Sequence, residues 1–390
     1  MTIDRREFVR IGAGSALGLA ALRARATGES ASCTEPAGDH GAAAAARASA
    51  PFIIDALGGF ANPNLGESDI STAAVDDRGL RDARASGLTA VNQTVGYVNG
   101  AMDPFEYSVA EVADWDRLMR SRDAELLKVL TAADIRRARE TGRIGVILGF
   151  QTAAMMGSDA QRVAVFANLG VRVIQLTYNV RNQLGDGAMV GENRGLTPFG
   201  REVVHALNEN RVMVDLSHSG EQTCVDAIAE SRSPVIISHT GCRAIADLPR
   251  NKSDRELRAV AERGGLVGVY FMPFLAIGRQ PTADDLLAHI DHAVTVCGED
   301  HVCIGTDGTV SQIDDMTKYL EELKDEVAAR KAAGIGATGE RADIAPFLPD
   351  LQGPGKFHRL AELLSERGHP ASRIEKILGG NFLGFAERIW

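Results

Sequence analysis

The sequence predicts an α/β fold, a (β/α)8 barrel of the TIM type. From position 51 onward, eight short apolar runs rich in β-branched residues alternate with segments of helical periodicity. The runs are close to continuously apolar, as strands of a parallel sheet buried on both faces must be. No Gly-x-Gly-x-x-Gly follows the first run, which counts against an open dinucleotide-binding sheet, the other α/β architecture that suits this length.

Three segments divide the chain. Residues 1–26 read as an export signal. Asp4-Arg5-Arg6-Glu7-Phe8-Val9-Arg10 is a twin-arginine motif, followed by an apolar run from Ile11 to Leu22 and by Ala24-Arg25-Ala26, a small-x-small cleavage sequence. The run is too short to span a bilayer and carries Gly12, Gly14 and Gly18. Residues 27–50 are rich in Ala, Gly and Ser and read as a tether. Residues 51–390 form the barrel. Its strands are expected at 52–55, 88–95, 144–151, 171–178, 212–218, 235–239, 265–271 and 302–307. Helices are expected at 73–85, 108–119, 160–168, 200–210, 221–230, 254–263 and 283–297.

A barrel of this type carries its chemistry where the strands end. Those ends read Asp55, Asn92-Gln93, Gln151, Tyr178-Asn179, His218, His239, Phe271 and Asp307. The fifth and sixth runs, Val212-Met213-Val214-Asp215-Leu216-Ser217-His218 and Pro234-Val235-Ile236-Ile237-Ser238-His239, both finish in Ser-His. Residues 220–233 between them are long enough for one crossover helix, so two imidazoles stand at the same end of neighbouring strands. Neutral imidazole is the commonest protein metal ligand, and that placement suits a metal ion. Asp307, after the last strand, faces the histidines across the mouth, either to take a proton from a metal-bound water or to bind the metal.

Composition narrows the function further. The net charge is −10, aromatic residues make up 5%, and no basic stripe is present, which excludes nucleic-acid binding as a class. Cys224, Cys242, Cys297 and Cys303 form no Cys-x-x-Cys pair and are expected to be free and buried.

These residues resemble a known family, the membrane (renal-type) dipeptidases of the amidohydrolase-like barrels. The resemblance runs from Pro51 to the C-terminus. It is densest in Gly195-Leu196-Thr197-Pro198-Phe199-Gly200-Arg201-Glu202-Val203, in Val214-Asp215-Leu216-Ser217-His218, in Ser238-His239 and in Pro249-Arg250-Asn251, with Gly380-Asn381-Phe382 as a closing signature. It implies that His218 and His239 hold one of two zinc ions. It implies that Asp307 handles the proton of the nucleophilic water and that Arg250 grips the substrate carboxylate through paired hydrogen bonds. It also implies a homodimer.

The chain departs from the family pattern at the other metal position. Leu57 and Gly59 stand where the first strand should supply His and Asp, Gln151 stands for a bridging glutamate, and Tyr178 stands for a histidine. Leu57 and Gly59 have no donor atoms for a metal. The expectation is therefore one zinc per chain, held by His218 and His239 with Gln151 or Asp307. Tyr178 is expected to donate to the oxyanion, and Asn179 to line the substrate site.

The function expected is hydrolysis of a dipeptide or related small amide with a free carboxylate, by a metal-activated water. The alternative is a barrel that binds a small ligand with altered or lost catalysis. Twin-arginine export places the protein in the periplasm or outside the cytoplasm. Replacing Arg5 and Arg6 together by lysine is expected to abolish export and to leave the protein in the cytoplasmic fraction, checked by fractionation and by the N-terminus of the mature chain.

Overall fold

The computed structural model describes residues 51–65 and 75–390, so the signal, the tether and Cys33 lie outside the described residues. Among the described residues, nine strands form one parallel sheet. They are β1 (Ile54–Gly58), β2 (Ala90–Thr94), β3 (Leu126–Lys128), β4 (Ile144–Phe150), β5 (Val171–Gln175), β6 (Met213–Asp215), β7 (Ile236–Thr240), β8 (Leu266–Val269) and β9 (Val302–Ile304). Their order is β1-β2-β4-β5-β6-β7-β8-β9. The ends of this row meet, because the Asp307 N–H donates to the Leu57 carbonyl (2.8 Å) and the Gly59 N–H to the Gly308 carbonyl (2.9 Å). The sheet is thus an eight-strand barrel with β3 as an appendage. β3 pairs with Ile144, Gly145 and Val146 at the start of β4, before the point where β5 takes over at Leu148.

All eight strands read from the sequence are present, and so are the seven helices. The helices run Asp77–Ala85, Pro104–Ser121, Arg162–Asn168, Pro198–Glu209, Glu221–Glu230, Asp254–Glu262 and Ala283–Cys297. Their starts follow from local chemistry. Thr197 caps one through the Gly200 N–H, with Pro198 fixing the first helical φ. Ser253 and Glu256 form a reciprocal capping box on another. The four described cysteines are free and buried. Among the described residues no helix is long and apolar enough to cross a membrane.

The sequence reading lacked β3 and its helix Ala132–Thr141, and it also lacked the helices Met316–Ala332, Lys356–Glu366 and Asn381–Ile389. The last of these seals the barrel floor. Phe382 and Phe385 pack on Ile54, Ala90, Ile147, Val173, Met213, Ile236, Leu266 and Cys303, which fill the barrel interior. Asn381 fixes that helix, donating from Nδ2 to the carbonyls of Glu299 (2.7 Å) and Val302 (2.8 Å) at the entry to β9. Asn381→Ala would leave both carbonyls without this donor. It is expected to lower unfolding free energy by about 1–3 kcal/mol, read as a lower urea midpoint at unchanged slope.

Candidate active site

The site is built on one buried carboxylate. Asp215 ends β6 and accepts four hydrogen bonds, from Ser217 N (3.1 Å) and Oγ (2.6 Å) and from Ser238 N (3.0 Å) and Oγ (2.5 Å). Ser217 Oγ in turn accepts from the His239 N–H (3.1 Å). These bonds lock the ends of β6 and β7 to each other. Gly268 and Gly305 bring β8 and β9 against the Ser238 carbonyl, and a Cβ at either would overlap that oxygen. Burial pushes the Asp215 carboxyl up, and the bonds it accepts work against that.

The same network assigns the imidazole tautomers. Asn179 Nδ2 donates to the Ile335 carbonyl (2.7 Å), so its Oδ1 faces His218 and accepts from Nδ1–H (2.7 Å). Both serine hydroxyls donate to Asp215, so Ser238 Oγ accepts from His239 Nδ1–H (2.8 Å). The two Nε2 atoms therefore present lone pairs to one another, 2.9 Å apart. Two lone pairs at that distance repel unless both are turned to a shared cation. Burial, and then the Arg250 charge, push both imidazoles well below their ordinary value, so protonation is disfavoured. A metal ion fits the pair.

The end of β1 offers no donors for a second ion. Ile54 and Ala56 point into the barrel core, and Asp55 between them turns away, accepting from Thr306 N (2.8 Å) and Oγ1 (2.6 Å). Gln151 donates from Nε2 to Thr94 Oγ1 (2.9 Å). Among the described residues no group of three or more His, Cys, Asp and Glu side chains converges as a ready-made metal cage. The carboxylate nearest the pair is Asp307, whose Oδ2 lies 4.0 Å from His239 Nε2.

Asp307 holds a positive φ of 53°, a left-handed conformation that aspartate tolerates better than most residues. Burial raises its carboxyl to about 7, against the pull of Arg250 and Arg330.

Arg250 is 1% exposed and lies on a turn pinned by Asn251, which donates to the carbonyls of Ala246 (2.7 Å) and Phe274 (2.9 Å). Its Nη1 donates to the Ser217 carbonyl (2.6 Å), and among the described residues no carboxylate pairs with it. A buried guanidinium with donors to spare is a costly arrangement that an incoming anion relieves. Tyr178 stacks on His218, ring centroids 4.2 Å apart and 20° from parallel. Asn179, expected to meet substrate, is instead occupied by His218 and Ile335.

Residues 84–334 match the family described as membrane dipeptidase (Peptidase family M19). The chain belongs to that family. It is a dipeptidase-like hydrolase of a metal-dependent group.

An amidohydrolase from Pseudomonas aeruginosa has the same fold at a TM-score of 0.73 and 32% identity, over 89% of this chain and 99% of that one. A Klebsiella pneumoniae protein described as uncharacterized, encoded in the pqqA 5′ region, is 28% identical over 74% of this chain and 98% of its own length. The dipeptidase tcpJ of Claviceps purpurea is 26% identical over 65% of this chain, and the match takes in 52% of that protein.

Asp215, Ser217 and Ser238 set the histidines in this M19 site, and the sequence reading gave them no role. Asp215-x-Ser217-His218 followed by Ser238-His239 is the signal that was available. Asn179→Leu removes the acceptor that fixes His218 Nδ1–H. It also strips the donor from the Ile335 carbonyl, so it is expected to weaken zinc binding by roughly 10–100-fold in chelator competition and to lower the melting temperature as well.

Proposed function

We infer that the protein is a mononuclear M19 metallo-dipeptidase that hydrolyses dipeptides or related small amides with a free carboxylate. The observation that carries this reading is the facing pair of Nε2 lone pairs on His218 and His239, set beside Asp307 and an unpaired buried Arg250. His218 and His239 would hold one zinc ion. When bound, the ion supplies an acidified water and a polarising charge for the scissile carbonyl.

The side chains divide the remaining work. Arg250 takes the substrate carboxylate and sets the peptide bond over the histidine pair. Asp307 accepts a proton as the water oxygen bonds to the carbonyl carbon, and later gives it to the amine nitrogen as the C–N bond breaks. Its place beside the histidine pair puts it within reach of both transfers. The Tyr178 hydroxyl donates to the oxygen that gains charge. The products are two amino acids, or, from a related acylated amino acid, a carboxylic acid and an amino acid. The twin-arginine motif supports action outside the cytoplasm, after folding and metal loading.

The donor-free ends of β1, at Leu57 and Gly59, favour one competing reading, a barrel that binds its ligand without turnover. Asp307→Asn separates the two on a panel of dipeptides with L- and D-configured C-terminal residues. With Asp307 as the acid–base group, the variant keeps one zinc per chain and loses about 10²–10⁴-fold in kcat. Zinc loss in the variant would make Asp307 a ligand. A wild-type protein that binds these dipeptides and cleaves none would establish the competing reading.

A further inference from the structure

The chain beyond β9 does not stay beside that strand. β9 and β5 lie opposite each other in the closed strand order, and residues 316–345 cross from one to the other. The helix Met316–Ala332 leads into a loop that lands on the β5 side. There the Ile335 carbonyl accepts from Asn179 Nδ2 (2.7 Å), and the Thr338 N–H reaches Met189 Sδ (3.3 Å). This crossing brings Arg330, from the last turn of the helix, to the mouth.

Arg330 is held on both sides. Nε and Nη2 donate to the two Glu340 oxygens (3.2 and 2.8 Å), which fixes the plane of the guanidinium. Nη2 also donates to the Tyr178 hydroxyl oxygen (3.3 Å). Both side chains of the ion pair are mostly buried, at 14% and 16% exposure, so the pair is weakly screened.

The Tyr178 ring cannot swing while it is stacked on His218, and its oxygen is held by Arg330. The phenol keeps its one hydrogen, and among the described residues nothing accepts it. A phenol that accepts from a guanidinium is also a stronger donor, because chained hydrogen bonds polarise one another.

We propose that Arg330 is a positioning residue for the hydrolysis, holding and polarising the Tyr178 hydroxyl from the segment that crosses the mouth, so that the oxyanion donor is complete only with that segment docked. The inference rests on the dipeptidase reading and on Tyr178 as the oxyanion donor. A tether between Arg330 and Glu340 alone would hold the segment down without affecting the phenol, and a double-mutant cycle separates these roles.

The test uses the zinc-loaded full-length mature protein. It measures kcat and KM on the best-turned-over dipeptide and affinity for a phosphinate analogue of alanyl-alanine, whose tetrahedral oxygens imitate the oxyanion. Tyr178→Phe is expected to lower kcat and phosphinate affinity by roughly 10²-fold. Arg330→Met is expected to lower both by about tenfold or more at little change in KM, and Arg330→Met with Tyr178→Phe to be no worse than Tyr178→Phe alone. Glu340→Gln, which keeps the guanidinium and loosens its hold, is expected to show a smaller loss that vanishes in the Tyr178→Phe background. Melting temperatures of all variants check that they are folded.

Additive losses from Arg330→Met and Tyr178→Phe would overturn the inference and leave Arg330 as a tether. A rise in KM with kcat unchanged would overturn it in favour of direct substrate binding by Arg330. An unaffected Tyr178→Phe would remove Tyr178 from the chemistry, and the inference with it, while leaving the dipeptidase reading standing. A wild-type protein that neither binds the phosphinate nor turns over any dipeptide would overturn both.

Discussion

Asp215 is the point on which the site depends. One carboxylate, buried between β6 and β7, accepts from the backbone and hydroxyl of both Ser217 and Ser238, the residues just before the two histidines. By accepting from both hydroxyls it decides which way their protons point, and through Ser238 which nitrogen of His239 keeps its hydrogen. A buried carboxylate with this many donors is stable in its place, whereas an asparagine there would reverse half of the polarity. The facing lone pairs of His218 and His239 are thus a consequence of charge placed one layer below them. The strain of bringing two acceptors to 2.9 Å is relieved when a cation joins them.

The site is assembled from rigid strand ends on one side and from chain that folds back over the mouth on the other. His218, His239 and Tyr178 belong to the strand ends, Arg250 to a turn stitched by Asn251, and Arg330 to the long return after β9. Asn179 joins the two halves, because one amide group accepts from His218 and donates to the return segment at Ile335. The histidine pair and the crossing segment therefore share a residue. Moving the segment would disturb the His218 tautomer as well as the Tyr178 hydroxyl.

The strands were legible because each is a run of β-branched and aliphatic residues, closed by a polar residue in all but the run ending at Phe271, and a barrel interior accepts little else. His218, His239 and Asp307 were legible for the same reason, being ionisable groups at the ends of such runs. β3 was not, since Leu126-Leu127-Lys128 is too short to show a period of two and lies between two helical patterns. Arg330 was hidden differently. The helix Met316–Ala332 is charged around most of its circumference, with Leu323 its buried residue, so nothing in its pattern sets one arginine apart. Only the path of the chain across the mouth does so. Asn179 was placed at the right strand end, but its amide turns out to be spent within the protein, a partnership with residue 335 that no local pattern contains.

The loss of the β1 donors fits the charges that remain. Asp55, the one carboxylate on that strand, is spent on the Thr306 N–H and hydroxyl and faces the buried Lys356 charge, so it makes no substitute ligand. A site for two dications needs several carboxylates to hold them, and this mouth has Asp307 near the metal pair and Glu340 committed to Arg330. Two guanidinium groups, Arg250 and Arg330, already act on Asp307. A second dication would add to a surplus of positive charge at low dielectric, where like charges repel strongly. In the proposed mononuclear site, one ion with two arginines leaves instead a positive pocket suited to a carboxylate-bearing substrate and to the charge that develops on its carbonyl oxygen. In that reading Leu57, Gly59 and Gln151 stand where the resemblance implies metal ligands, and Arg250 and Arg330 supply positive charge at the same mouth. Arg250 and Arg330, which carry their charge permanently, are thus proposed to do the electrostatic work that the resemblance assigns to a second metal.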